Sequence, residues 1–161
     1  MTKSVRARMS GILCIVLALA GGTAACGDSP AGPSGGTTLT GSWAGSFTGN
    51  VVEGDASATL TQDDARVTGD WTAPMPAPLV DLGAPAAVPL AGPVMGTADG
   101  TTAELEFAFI EAFHPYFGGA DCALAVSVSS FSATTLTATW EMNASCPDEL
   151  FDSGTLTLMR Q

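Results

Sequence analysis

From Leu39 onward, the apolar residues of this chain recur at every second position. They lie in short runs rich in Thr, Val, Phe and Trp, punctuated by Gly and Asp. No stretch repeats its apolar residues with the period of about 3.6 that a helix requires. A period of two places alternate side chains on opposite faces of an extended strand, so such a chain builds a sheet with one buried face. Roughly 120 residues follow Leu39, enough for one domain with one core.

The runs can be drafted as strands. Leu39–Thr48 places Leu39, Trp43 and Phe47 on one face, with Gly41 and Gly45 between them. Val52–Gln62 offers Ala56, Ala58 and Leu60. After a turn at Asp63-Asp64-Ala65, Arg66–Ala73 offers Val67 and Trp71. Opposing Leu60 to Val67 keeps both apolar sets on one face. Asp99-Gly100 links Val94–Ala98 to Thr101–Phe109 as a two-residue hairpin, because Gly accepts a positive φ. Val94 then faces Leu105, and Phe107 and Phe109 continue that face. Gly154–Arg160 alternates Leu156 and Leu158 with Thr155 and Thr157. Residues 74–93 hold six prolines. Proline lacks the N–H a ladder needs, so that segment reads as a long loop or an extended edge, not a central strand.

The N-terminus is different. Residues 1–9 carry Lys3, Arg6 and Arg8 and no acid, residues 11–20 are apolar, and Gly21–Ala25 are small residues leading to Cys26. These are the parts of a secretory signal peptide, with an apolar run short of the roughly 20 residues a membrane span needs. Removing residues 1–25 leaves two cations, Arg66 and Arg160, against sixteen acids, which moves the formal charge from −11 to −14. Phosphate binding needs clustered Lys and Arg, so a nucleic-acid partner is not expected.

Of four cysteines, Cys14 falls in the leader and Cys26 at its border. Cys122 and Cys146 remain, and outside the cytoplasm such a pair is expected to form a disulfide. Zinc would want more ligands, and the only histidine is His114. Direct opposition of the two cysteines centres a hairpin on Thr134 and sets Leu124, Val126 and Val128 against Ala144, Met142 and Trp140. A slip of two residues would preserve the same faces.

About eight strands in sequential hairpins must cover their edges. Closure into an all-β, up-and-down antiparallel barrel does so, with a β-sandwich as the alternative. Eight strands enclose either a packed core or room for one small ligand.

Two resemblances bear on function. Thr23-Ala24-Ala25-Cys26 resembles the lipobox of bacterial lipoproteins, with Thr23 where that family usually has Leu. The resemblance implies cleavage after Ala25, a diacylglycerol on the Cys26 sulfur, and membrane attachment through the acylated residue. Two or more chains anchor stably where one does not. Residues 26–38 then form a Gly/Ser/Pro tether and residues 39–161 the barrel domain. Lipoproteins held at the inner membrane typically have Asp directly after the cysteine. Here Gly27 precedes Asp28, which implies the outer membrane of a cell envelope. Gly41-Ser42-Trp43 in the first strand and Arg160 in the last resemble the lipocalin and calycin pattern. That resemblance implies Arg160 stacked across Trp43 to close one end of the barrel.

Chemistry is sparsely supplied. There is no His-Glu-x-x-His, no Gly-x-Ser-x-Gly, no phosphate-cradling Gly loop and no lysine after the leader, so no enzyme is expected. Gly27-Asp28-Ser29 lies in the tether, without the strand and helix a nucleophile turn needs. Asp63-Asp64 and Asp148, Glu149 and Asp152 lack the spacing and turn glycine of a calcium loop, and no metal or cofactor is expected. Glu111–Gly119 holds His114, Tyr116, Phe113 and Phe117 between two strands. These four, with Trp43, Phe107 and Trp140, are the candidate contacts for a small apolar ligand or lipid at the barrel mouth. A filled barrel serving a structural or protein-interaction role is the alternative.

Overall fold

The computed structural model describes residues 37–81, 83–117, 121–148 and 151–161. The expected leader, Cys26 and the expected tether as far as residue 36 lie outside the described residues. Eight antiparallel strands follow one another around a closed barrel: β1 (Gly41–Gly49), β2 (Glu53–Asp63), β3 (Arg66–Ala73), β4 (Leu90–Asp99), β5 (Thr102–Ala108), β6 (Ala123–Phe131), β7 (Thr135–Met142) and β8 (Ser153–Arg160). β1 pairs with both β2 and β8, so the ladder has no free edge and the sandwich alternative is set aside. The alternating apolar residues point inward from every strand and form one continuous core, from Leu39 and Trp43 to Leu156 and Leu158.

The faces agree with the period-two pattern, whereas three registers differ from those expected. Leu60 opposes Gly69 and Val67 opposes Gln62. Val94 opposes Phe107, and Leu105 opposes Gly96. Val126 opposes Trp140, and Leu124 opposes Met142. Each is a shift of two residues, which leaves inside and outside unchanged. The cause is visible at the turns. Asp99 pairs with Thr102, so the connection is Gly100-Thr101, with Gly100 at φ 61°. Asp63 pairs with Arg66, and Asp64 takes the positive φ of 52°. At β4–β5 a two-residue turn has moved by one position, which moves every partner by two. At β2–β3 the connection is Asp64-Ala65, not the three expected residues. In β6–β7 the register also shifts at a bulge between Val128 and Ser130.

The disulfide forms without the expected direct opposition. Cys122 and Cys146 are bonded across a Cα–Cα distance of 4.6 Å, but both lie beyond the paired residues of β6 and β7. Closing the intervening loop contributes roughly 3 kcal/mol in the chain-entropy account.

The proline-rich segment also departs from expectation. Its last residues, Leu90–Pro93, belong to β4 and pair with β3. A short helix, α1 (Ala77–Asp81), precedes them and buries Leu79. The barrel curls tightly enough that some inward positions admit no side chain. A Cβ on Gly45 would stand 2.1 Å from the Thr157 carbonyl oxygen.

Candidate functional site

The two ends of the barrel are built differently. At one end the chain enters β1 through Thr38 and Leu39. The side chain of Gln62 accepts from the Leu39 N–H at 2.9 Å. Trp43, almost fully buried, donates its indole N–H to the Leu39 carbonyl at 2.8 Å. The Arg160 guanidinium lies over the Trp43 ring at 4.5 Å and donates to the carbonyls of Thr40, at 2.6 Å, and Thr38. A cation over an indole face is attracted by the ring quadrupole. Leu60, Val67, Leu136 and Leu158 fill the interior beneath, so this end is closed.

The opposite end holds a cavity of about 100 Å³. Its walls come from inward residues of the strands, among them Phe47, Ala56, Trp71, Phe107, Leu124, Val126, Trp140 and Leu156. Its cover comes from the connections: Pro76, Pro78 and Leu79 around α1, Phe109 and Phe117 from the β5–β6 connection, and Val51 and Val52 from the β1–β2 turn. Val51 is 65% exposed, so the lining reaches the surface. Phe109 and Phe117 stack face to face, with centroids 4.1 Å apart and planes 7° from parallel. Trp71 meets Phe107 and Phe109, each at 5.6 Å between ring centroids. Phe47 meets Trp140 edge-on at 6.1 Å. Such pairs fix one another's orientation and contribute about 0.5–1.5 kcal/mol each beyond their burial.

Two tryptophans reach this position by one local device. Trp71 opposes Gly92 and Trp140 opposes Gly154, so each ring lies across a strand position that has no side chain. Trp71 thereby donates to the Ala108 carbonyl at 2.8 Å. Extending the β4–β5 register places Pro93 opposite Ala108, and proline has no N–H to offer that carbonyl. The indole supplies the missing donor. Trp140 donates to the Thr155 carbonyl at 3.2 Å.

Asp152 is the one buried charged residue among those described. One carboxylate oxygen accepts from the N–H groups of Asn50 and Ser153, at 2.9 and 2.8 Å. The other accepts from Val51 and Val52, at 3.1 and 3.0 Å. Burial by itself pushes this carboxyl up. The four backbone donors more than reverse that, and hold it below the ordinary carboxylate value of 3.8. Asp152 thus fastens the β1–β2 turn to the start of β8 at the cavity rim. Sequence reasoning grouped it with Asp148 and Glu149 as a turn acid. Its mark in the sequence is its parity: Asp152 stands one residue before β8, on the even-numbered side shared by Leu156 and Leu158.

The structure separates the candidate ligand contacts. Phe107, Phe117 and Trp140 line the cavity. Trp43 does not, because it occupies the closed end. Phe113 is buried under the cover, in a single 3-10 turn (Glu111–Phe113), and is not part of the lining. His114 and Tyr116 are half-buried beside it, the His114 Nε2 lying 3.4 Å from the Phe109 carbonyl oxygen. Trp71, Phe47 and Phe109, read from the sequence as face residues only, are part of the lining. Among the described residues no group of three or more His, Cys, Asp or Glu side chains is placed to hold a metal ion.

No family model matches the chain, and comparison with curated proteins gives no match. Among solved structures the chain is similar in fold to EF1p2_mFAP2b bound to DFHBI. The TM-score is 0.56 at 13% identity, over 76% of this chain and 94% of that one. A likeness at that identity concerns the barrel fold.

Proposed function

We propose that this protein binds a small apolar ligand in the open end of its barrel, and that it does so while tethered to a bacterial cell envelope through acylated Cys26. The observation that carries the binding reading is the cavity: ring and aliphatic side chains form nearly all of its lining, and part of that lining is exposed at the rim. Among the described residues, each of the four connections at that end also presents a large exposed apolar side chain: Val51, Val88, Ile110 and Phe151. An apolar rim around an apolar cavity suits a ligand that leaves water on entering. The structurally similar barrel was solved with DFHBI bound, which is consistent with a ligand inside such a fold. Envelope attachment rests on the leader-like residues 1–25 and the lipobox-like Thr23–Cys26. The reading is of a binding protein rather than an enzyme, because among the described residues the cavity presents no nucleophile paired with a base.

Native mass spectrometry of the protein purified from membranes tests both halves. The expected result is a chain beginning at Cys26 with added acyl mass, accompanied by a small co-purified compound. A chain still carrying residues 1–25 without added mass would overturn the attachment. A barrel that retains and takes up no apolar compound would overturn the binding role.

A further inference from the structure

The cavity is apolar in a stronger sense than its composition requires. Three of its lining residues carry a side-chain nitrogen or oxygen, Trp71, Trp140 and Asp152, and all of those atoms are already engaged. The two indole N–H groups are donated to backbone carbonyls. Each oxygen of Asp152 accepts two backbone N–H groups. Among the described residues the only buried side-chain nitrogen or oxygen without a partner is Nε of Arg160, at the opposite end. A ligand in this cavity therefore meets ring faces, ring edges and methyl groups, with no free side-chain donor or acceptor among the described residues.

Volume narrows the class further. About 100 Å³ is of the same order as the roughly 150 Å³ apolar cavity known to take benzene. It is well below the roughly 300–1,000 Å³ of a site for a drug-sized molecule. We infer that the occupant is a compact, uncharged, single-ring or similarly small hydrocarbon, or the unsubstituted hydrocarbon end of a larger molecule whose polar part stays outside the rim. A hydroxyl or carboxylate carried inside would exchange water for no free side-chain partner among the described residues, and that loss is uncompensated.

This inference rests on the binding reading above, and its test separates the two. Toluene and phenol differ by a methyl for a hydroxyl at nearly equal size. Their affinities can be read from the indole N–H resonances of Trp71 and Trp140 in NMR titrations of the full barrel. Toluene is expected to bind and phenol to bind at least about a hundredfold more weakly, as transfer of a hydroxyl into a site without a partner requires. Trp71→Phe removes the indole donor and leaves the Ala108 carbonyl open to the cavity. Met142→Gln instead supplies an amide at similar side-chain length. In either variant the preference for toluene over phenol is expected to shrink at least tenfold, and whichever variant folds serves the test. Equal affinity for the two probes in the natural protein would overturn the inference and leave the binding reading standing. Failure of benzene and toluene alike to bind would overturn both.

Discussion

The Trp71 indole crosses β4 at Gly92 and supplies the Ala108 carbonyl with the donor that Pro93 lacks. Three features that look unrelated in the sequence, a tryptophan, a glycine and a proline, are thus one arrangement. The proline removes a ladder bond, the glycine clears a path, and the ring fills both gaps. A Cβ on Gly92 would lie 1.9 Å from the Ala108 oxygen. Gly92→Ala is expected to destabilise the barrel by about 3 kcal/mol, at the upper end of the range for overpacking. Urea unfolding measures this. A loss below a few tenths of a kcal/mol would mean that β4 shifts freely and that the packing is not specific.

Asp152 makes stability depend on pH in a defined direction. Its folded carboxyl titrates below its ordinary value of 3.8. The stabilisation is therefore complete above the unfolded value and is lost as pH falls through the lower, folded value. Asp152→Asn places an amide where four N–H groups converge, and an expected loss of about 2–4 kcal/mol at neutral pH follows from buried donors left unpaired. The gap between natural protein and variant should narrow below about pH 4, as read by thermal unfolding at a series of pH values. A gap unchanged down to pH 2 would show that the carboxylate charge is not what holds the turn.

Leu79 covers the cavity from a helix of five residues, fixed by its own N–H to the Pro76 carbonyl at 3.1 Å and by the Ala84 N–H to its carbonyl at 2.9 Å. Leu79→Ala should cost about 2–3 kcal/mol and enlarge the space beneath. Ethylbenzene, bulkier than benzene, is then expected to gain at least tenfold in affinity while benzene gains little. Calorimetric titration of both compounds decides this, and equal gains for both would place Leu79 outside the volume that selects ligands.

The parity of the strands was legible and their register was not. Alternation alone put Trp43, Val67, Val94, Phe107 and Trp140 on the inner face, because a period of two has only two solutions. Register depends on where each turn begins. Asp99-Gly100 and Gly100-Thr101 are equally readable from composition, yet they differ by two residues across the whole ladder. The disulfide misled in the same way. Two bonded cysteines need closeness, not opposition, and Cys146 reaches Cys122 from beyond the end of β7. At the site, Phe107, Phe117 and Trp140 were legible as large apolar residues near one end. Asp152 and the Trp71–Gly92 crossing were not, since both depend on partners from distant strands.

The closed end has a mechanical consequence. The chain enters the barrel there, at Thr38–Leu39, where Arg160 and Gln62 hold its backbone. A pull on Thr37 directed along the axis of β1 would load that strand lengthwise. The ladder bonds to β2 and β8 lie across that axis, so they resist together, in shear, rather than opening one by one. The load is taken up at the base and spread through the wall, and the rim that surrounds the cavity stands farthest from where the force is applied.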